Sequence, residues 1–314
     1  MRERIPIGIV GAGRTRDGLG PFLAKFTEEE GFFVAGVSGR SLERATTNAE
    51  MIRTKLRHEV KPFASPAALC ASGVAALVIA SPVECHLEAL QAAVEADLPA
   101  LCEKPLVHEN QGGEGGKVIE AFARKRIPLL ENCQWPYVLP AFHQLHGPIT
   151  RDERLTIELG LKPPRPGREM VQTTVSHLLS VIQTVASVDS GAVVSEVTIA
   201  DPSYKQRHNV LRFCITAASG KTVEGLLHLG TAVVGPRPAW LAINGRRIDR
   251  HVRPGYAIAF SANGMEVAIA DPTKELVQRF ALLVRSRDSV LMAEDWDRIR
   301  QRLNWYRQIL DKLE

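Results

Sequence analysis

"GIVGAGRTRDGLGPF", residues 8–22, is the stretch from which the rest of the chain is read. An apolar run ends in Gly11-Ala12-Gly13 and a helix-forming segment follows, the setting in which a glycine-rich turn can cradle a pyrophosphate at a helix N-terminus. Gly11 permits the tight turn, and Gly13 lets backbone N–H groups approach the phosphates. The third glycine, which normally seats the helix against the strand, is missing from its usual place, where Arg16 stands; Gly18 and Gly20 follow two and four residues later. The loop is therefore read as a lengthened dinucleotide turn, with Arg14, Thr15 and Arg16 in the extra turn as cofactor contacts. A glycine-rich surface turn is the other reading of the same residues.

Outward from this turn, short apolar runs ("IPIGIV", "FFVAGV", "VAALVIA", "PALCE", "IPLLEN") alternate with helical patterns as far as about residue 132. Runs that are apolar throughout, without alternation, are strands covered on both faces, so a doubly wound parallel sheet is expected. From about residue 153 to 270 the grammar changes to strand-like runs joined by turn signals. "AINGRRI" and "FSANGMEVAIA" each carry the Asn-Gly pair suited to a type I′ hairpin. One helix, "MVQTTVSHLLSVIQTVAS", precedes most of these strands, and "DPTKELVQRFALLV" opens a terminal helical region with Asp271 as N-cap. The expected fold is α/β: an N-terminal Rossmann doubly wound parallel sheet over residues 1–130, then a C-terminal α+β domain over 131–314. The second domain carries a large, mostly antiparallel open sheet and includes the terminal helices.

With 314 residues, 45% of them hydrophobic, the chain is long enough for two cores. The net charge of +4 is spread over scattered Lys and Arg without a basic run, which gives nucleic-acid binding no support. The five cysteines include no CxxC pair, so they read as reduced thiols, not as a disulfide framework or zinc site, and no metal is expected. No stretch approaches the roughly 20 apolar residues that cross a bilayer. The N-terminal segment lacks the apolar core and cleavage site of a signal peptide, so a cytoplasmic protein without membrane contact is expected.

At the end of the second apolar run, where a carboxylate commonly holds the ribose hydroxyls of NAD, the chain has Ser38, Gly39 and Arg40. A hydroxyl followed by a guanidinium suits a 2′-phosphate, so NADP is favoured over NAD. A helix-capping Ser and a solvated Arg are the alternative. Lys104 follows the fifth apolar run. The carboxyl ends of strands in such a sheet face the ligand crevice, where an ammonium can polarise a carbonyl or hold a hydroxyl proton.

"VIASPVECHLEAL" and "LCEKPLV" resemble the glucose-fructose oxidoreductase, inositol dehydrogenase and rhizopine-catabolism family, Gfo/Idh/MocA, over the first domain from Ile5 to about Asn132. Ser81-Pro82 with His86 resembles the family's turn on the nicotinamide side of the cofactor, and Glu103-Lys104-Pro105 matches its Glu-Lys-Pro signature. The resemblance implies an NAD(P)-dependent dehydrogenase or reductase with Lys104 as the catalytic lysine and an active cleft between the two domains. It implies a small sugar- or polyol-like substrate and a homodimer or homotetramer formed through the C-terminal sheet. In the family the interrupting helix presents a His between two carboxylates; here His177 keeps its place while Thr173 and Ser180 replace the carboxylates. His177 is the candidate acid or base with Thr173 beside it, against a structural histidine bonded to Thr173. Gln134 and Trp135 match a segment bordering the family's active site, with Trp135 as a wall of the nicotinamide pocket or as core packing. Arg165, Arg168 and Arg207 would favour an anionic substrate or form a solvated loop. The rival readings are a nucleotide-binding sensor or partner protein that has lost catalysis, and nicotinamide-dependent glycoside cleavage.

Overall fold

The computed structural model describes residues 4–13, 19–149, 154–164, 166–186, 188–189, 191–232 and 234–313. The chain divides into two compact units, Met1–Asn132 with Thr273–Arg300, and Cys133–Pro272 with Gln301–Glu314.

The first unit is built on six parallel strands: β1 (Ile5–Val10), β2 (Phe32–Ser38), β3 (Lys61–Phe63), β4 (Ala76–Ile79), β5 (Ala100–Cys102) and β6 (Leu129–Glu131). Their order, β3-β2-β1-β4-β5-β6, reverses between β1 and β4, and that switch point is where open α/β sheets take their ligands. Ile7, Ile9, Leu77, Val78 and Ile79 are fully buried, as strands covered on both faces must be. The crossovers are helices α1 (Gly20–Glu29), α2 (Leu42–Leu56), α3 (Pro66–Cys70), α4 (His86–Glu95) and α5 (Gly112–Arg124). Helix α2 starts where the Ser41 hydroxyl accepts from the Arg44 N–H, and it stops at Arg57 in the left-handed region.

Sequence grammar places both terminal helices in the second domain, whereas the structure groups Thr273–Arg300 with the first unit. These residues comprise most of α9 (Pro272–Ser286) and the first half of α10 (Ser289–Asp311). Phe280 of α9 stacks on Phe32 of β2 at 6.2 Å, and Trp296 of α10 donates to the Ile127 carbonyl at 3.0 Å. An apolar helix face docks where a matching apolar surface exists, and sequence adjacency does not decide that.

The second unit carries an eight-stranded sheet in the order β14-β13-β12-β11-β7-β10-β9-β8. Its strands are β7 (Arg154–Leu161), β8 (Val193–Ile199), β9 (His208–Thr216), β10 (Thr222–Gly230), β11 (Ala239–Ile243), β12 (Arg246–Val252), β13 (Ile258–Ala262) and β14 (Met265–Ile269). Only β7 and β10 pair in parallel; all other neighbours are antiparallel. Both Asn-Gly pairs form the expected turns: Asn244 and Gly245 have φ of 48° and 75°, Asn263 and Gly264 50° and 75°. The sheet is packed by α6 (Leu139–His146) against β12 to β14 and by α8 (Val175–Ala186) against β7 and β10. The helix expected over "MVQTTVSHLLSVIQTVAS" is broken into α7 (Glu169–Gln172) and α8. At the break the Thr173 and Thr174 hydroxyls each donate to the carbonyl four residues back, a side-chain bond that competes with the helical ladder.

No helix among the described residues is long and apolar enough to cross a membrane. The five cysteines are free, four of them buried and Cys85 partly exposed.

Candidate active site

The glycine-rich turn leaves β1 with Gly11 at φ +79°, and the Gly11 N–H donates to the Ser38 carbonyl at 3.0 Å, joining the ends of β1 and β2. A Cβ on Gly11 would overlap the Ser81 backbone, so the chain there is as thin as a chain can be. Gly13 is partly exposed and faces Asn48 of α2. Arg14, Thr15, Arg16 and Gly18 lie outside the described residues. Gly20 is the first residue of α1, and a Cβ there would stand 2.7 Å from the Ala12 Cα. Gly20 therefore performs the helix-seating task that a glycine at the position of Arg16 would ordinarily perform.

Around this turn the donor set fits a dinucleotide. Ser38 and Ser81 stand at the carboxyl ends of β2 and β4, flanking Gly11, and each has a buried hydroxyl oxygen with no protein partner. Such groups are costly unless something bonds to them. Ser38 is fully buried, while Gly39 is partly exposed and Arg40 exposed. Of the three, Arg40 is the one that presents itself to solvent. No carboxylate occupies the end of β2, so a 2′-phosphate would meet no like charge there.

Lys104 follows β5 and is partly exposed, with a cis bond to the buried Pro105. Its neighbour Glu103 is anchored from both sides. The Glu103 N–H donates to the Ile79 carbonyl at 2.8 Å, and the Asn132 amide donates to the Glu103 carboxylate. Burial pushes Glu103 above the usual carboxylate range, against the opposing pull of the Lys104 charge and the Asn132 bond. Asn132 is 1% exposed, its backbone N–H donates to the Cys102 carbonyl at 2.7 Å, and its side-chain Oδ1 is buried without a partner. Sequence reasoning missed it. The available signal was a polar Glu131-Asn132 pair closing an apolar run at the same sheet edge as Glu103-Lys104.

His86 is not placed to touch a ligand. It is 1% exposed, with Nδ1 2.9 Å from the Pro105 carbonyl and Nε2 2.9 Å from the Ser81 carbonyl. A neutral imidazole donates to one of these carbonyls and only contacts the other, and in that way the ring braces the turn behind Lys104 against the turn after β4. Burial pushes His86 below its ordinary 6.5, while the Ser81, Pro105 and Leu106 backbone and the Glu131 charge pull it up. With the folded pKa lowered, the folded protein binds fewer protons than the unfolded chain near pH 6. The contribution of this site to stability is complete above about pH 6.5 and is lost as pH falls below it. The wild-type melting temperature should therefore drop from pH 7 to pH 5 more steeply than that of His86→Asn; equal slopes in a thermal melt would contradict this.

In the second unit His177 lies on α8, 6% exposed, with its N–H donating to the Thr174 carbonyl at 3.0 Å. The polar stripe around it largely serves its own backbone. Thr173 donates to the Glu169 carbonyl at 2.7 Å, Ser180 to the His177 carbonyl at 2.7 Å and Thr184 to the Ser180 carbonyl at 2.9 Å. Trp135, 3% exposed, opens a short 3-10 turn packed against α8 and meets Phe260 edge-on at 6.3 Å. Arg168 donates to the Leu310 and Leu313 carbonyls at the end of α10 at 3.1 and 3.3 Å, so it serves a helix terminus. Arg207 is exposed and Arg165 lies outside the described residues. Among the described residues no group of three His, Cys, Asp or Glu stands close enough to hold a metal ion.

Comparison with known proteins agrees with this geometry. Residues 5–130 match the Gfo/Idh/MocA oxidoreductase family, described by its NAD-binding Rossmann fold. An inositol 2-dehydrogenase of Streptomyces avermitilis is 37% identical over 125 residues, 40% of this chain and 34% of that protein. The match thus spans about a third of the length of this curated relative. Among solved structures, UDP-N-acetylglucosamine 3-dehydrogenase GnnA from Acidithiobacillus ferrooxidans superposes with a TM-score of 0.67 at 20% identity, covering 98% of this chain and 97% of that one. The 3-ketoreductase KijD10 from Actinomadura kijaniata, solved with NADP, superposes with a TM-score of 0.64 at 14% identity, covering 96% of each chain.

Proposed function

Because residues 5–130 match the Gfo/Idh/MocA oxidoreductase family, we propose that the chain is a member of that family and an NADP-preferring dehydrogenase. Its substrate is a small sugar- or polyol-like molecule oxidised or reduced at a carbonyl or hydroxyl carbon. The observation that carries the reading is Lys104 at the carboxyl end of β5, in the sheet whose switch point holds the Gly11 turn and the unpartnered Ser38 and Ser81 hydroxyls. The nicotinamide, when bound, supplies or takes the hydride. Gly11 and Gly13 give the pyrophosphate access to backbone N–H groups, and Arg40 meets the 2′-phosphate. Lys104 holds the proton at the substrate oxygen, donating it as a carbonyl becomes a hydroxyl and withdrawing it in the reverse direction. His177 is the second proton-managing group, Thr173 the residue that shapes its turn, and Trp135 an apolar wall. The protein acts in the cytoplasm as a homodimer or homotetramer formed through the C-terminal sheet.

A thermal-shift titration with NADPH and NADH side by side tests the cofactor assignment. NADPH at one hundred times its Kd should stabilise the fold by about 2.7 kcal/mol. Arg40→Glu should weaken NADPH roughly ten-fold or more, the scale of a lost charge-assisted contact, and leave NADH nearly unchanged. No response to either nucleotide would end the proposal.

A second reading is favoured by one observation: Thr173 and Ser180 stand where the family carries carboxylates, and their hydroxyls bond backbone carbonyls. A nucleotide sensor without turnover would bind NADPH and remain inactive across a screen of carbonyls and polyols. Release of sugar from glycosides with no net change in NADPH would mark glycoside cleavage instead.

A further inference from the structure

The second unit contains a cation that the reading above does not use. Arg250 lies on β12, where side chains alternate between the two faces of the sheet. Ile248, two residues before it, is fully buried, and Arg246 on the same face covers the Phe142 ring of α6 at 5.5 Å. Arg250 therefore points to the helix-packed face, while Arg247 and Asp249 pair with each other on the opposite one. Its guanidinium lies over the ring of Trp135 at 5.9 Å, and Trp135 belongs to the turn that packs against α8, the helix of His177.

The bonding of this guanidinium is incomplete. Nη2 donates to the Arg237 carbonyl at 2.8 Å. Nε is buried without a partner, and no described carboxylate makes an ion pair with Arg250. Burial holds Arg250 below the ordinary arginine value; the Asp271 charge pulls it back up, and the Arg237 charge, the weaker of the two, pushes it down. A largely buried guanidinium held over an aromatic ring, with Nε unbonded and no carboxylate in ion-pair contact, keeps donor capacity that an oxyanion can complete. Its fork of donors is suited to planar or tetrahedral oxyanions.

We propose that Arg250 recognises an anionic group, carboxylate or phosphate, on the substrate, so that this dehydrogenase acts on a sugar acid or sugar phosphate and not on a neutral polyol. This rests on the dehydrogenase reading and deepens it by naming the substrate class. It replaces Arg165, Arg168 and Arg207 as the carriers of anion preference: Arg168 serves the α10 terminus.

The test is calorimetric titration of the full chain, with and without saturating NADPH, against D-glucuronate, D-glucose 6-phosphate, inorganic phosphate and neutral D-glucose. One of the two anionic sugars is expected to bind at least ten-fold tighter than glucose; which one does so separates sugar acid from sugar phosphate. Arg250→Gln should erase that advantage. Arg250→Lys, which keeps the charge and the stem over Trp135, should lose at least three-fold while retaining the wild-type melting temperature, so that a folding defect in the Gln variant does not decide the outcome. Equal affinity for glucose and both anionic sugars, or unchanged affinity in both variants, would overturn the proposal. Arg250-dependent anion binding without any response to NADPH would leave anion recognition standing and remove the dehydrogenase reading; turnover of neutral polyols alone would do the reverse.

Discussion

Lys104→Ala is expected to lower kcat roughly 10²- to 10⁴-fold, the usual range for loss of a positioned acid or base, while NADPH affinity stays within about two-fold. The reasoning is local. Lys104 is partly exposed after β5, so its removal leaves no cavity in the core. The turn that carries it is held by other groups: Glu103 through Ile79 and Asn132, and Pro105 through His86. Loss of rate without loss of melting temperature or nucleotide binding is therefore the expected signature. Steady-state kinetics on whichever substrate the binding survey identifies, with NADPH titrated by its fluorescence, provides the measurement. A variant retaining more than a tenth of wild-type kcat would show that proton transfer is managed elsewhere, and His177→Ala would then become the decisive variant.

Gly20→Val should produce the other large effect, on stability and nucleotide binding together. A Cβ at Gly20 would lie 2.7 Å from the Ala12 Cα and 2.8 Å from its carbonyl carbon and oxygen. All three are backbone atoms of the segment that follows β1, so no flexible side chain can yield, and α1 must be pushed away from the sheet. Overpacking of this kind costs about 1–3 kcal/mol, occasionally more. At about 2–4 °C per kcal/mol for a domain of 150–250 residues, the melting temperature should fall by several degrees. Lifting α1 also withdraws the helix N-terminus from the place where phosphates would be met, so NADPH should cease to shift the melt. Gly113→Ala on α5, where nothing lies within 4 Å of the added Cβ, serves as the control and should be neutral or stabilising. If the two variants melt alike, the seating role of Gly20 is refuted.

The contrast between these two glycines shows how far local reading carries. The first strand was legible because a strand buried on both faces is apolar without alternation, and Ile7 and Ile9 are indeed fully buried. The hairpins were legible because Asn-Gly tolerates positive φ, as Asn244-Gly245 and Asn263-Gly264 show. Lys104 was legible from its place after an apolar run. The loop raised the question of its third glycine but could not answer it, because the answer lies in how closely α1 approaches Ala12.

Other features left no local trace. Ser38 reads in sequence as a 2′-phosphate contact, and only the fold shows its hydroxyl buried without a protein partner; His86 reads as a cofactor neighbour yet is buried with both ring nitrogens facing backbone carbonyls. The break between α7 and α8 depends on whether threonine hydroxyls bond water or the helix backbone, and both are open to Thr174 until burial removes water; Thr173 makes the backbone bond while partly exposed. Arg250 looks like any arginine in a charged strand, "RRIDRHV", until β12 finds its register and Trp135 arrives from more than a hundred residues away.

The amino-acid sequence by itself determined the parallel Rossmann sheet, the antiparallel second sheet and the residue types at the nucleotide turn, because each follows from hydrophobic period, turn chemistry and short spacing. Tertiary structure alone decided that Gly20 seats the helix, that His86 braces the Lys104 turn, that α9 joins the first unit through Phe32 and Phe280, and that Arg250 stands over Trp135 with its Nε unbonded. Those are contacts between residues distant along the chain. Their energies depend on burial and distance in three dimensions, quantities that no local pattern of residues encodes.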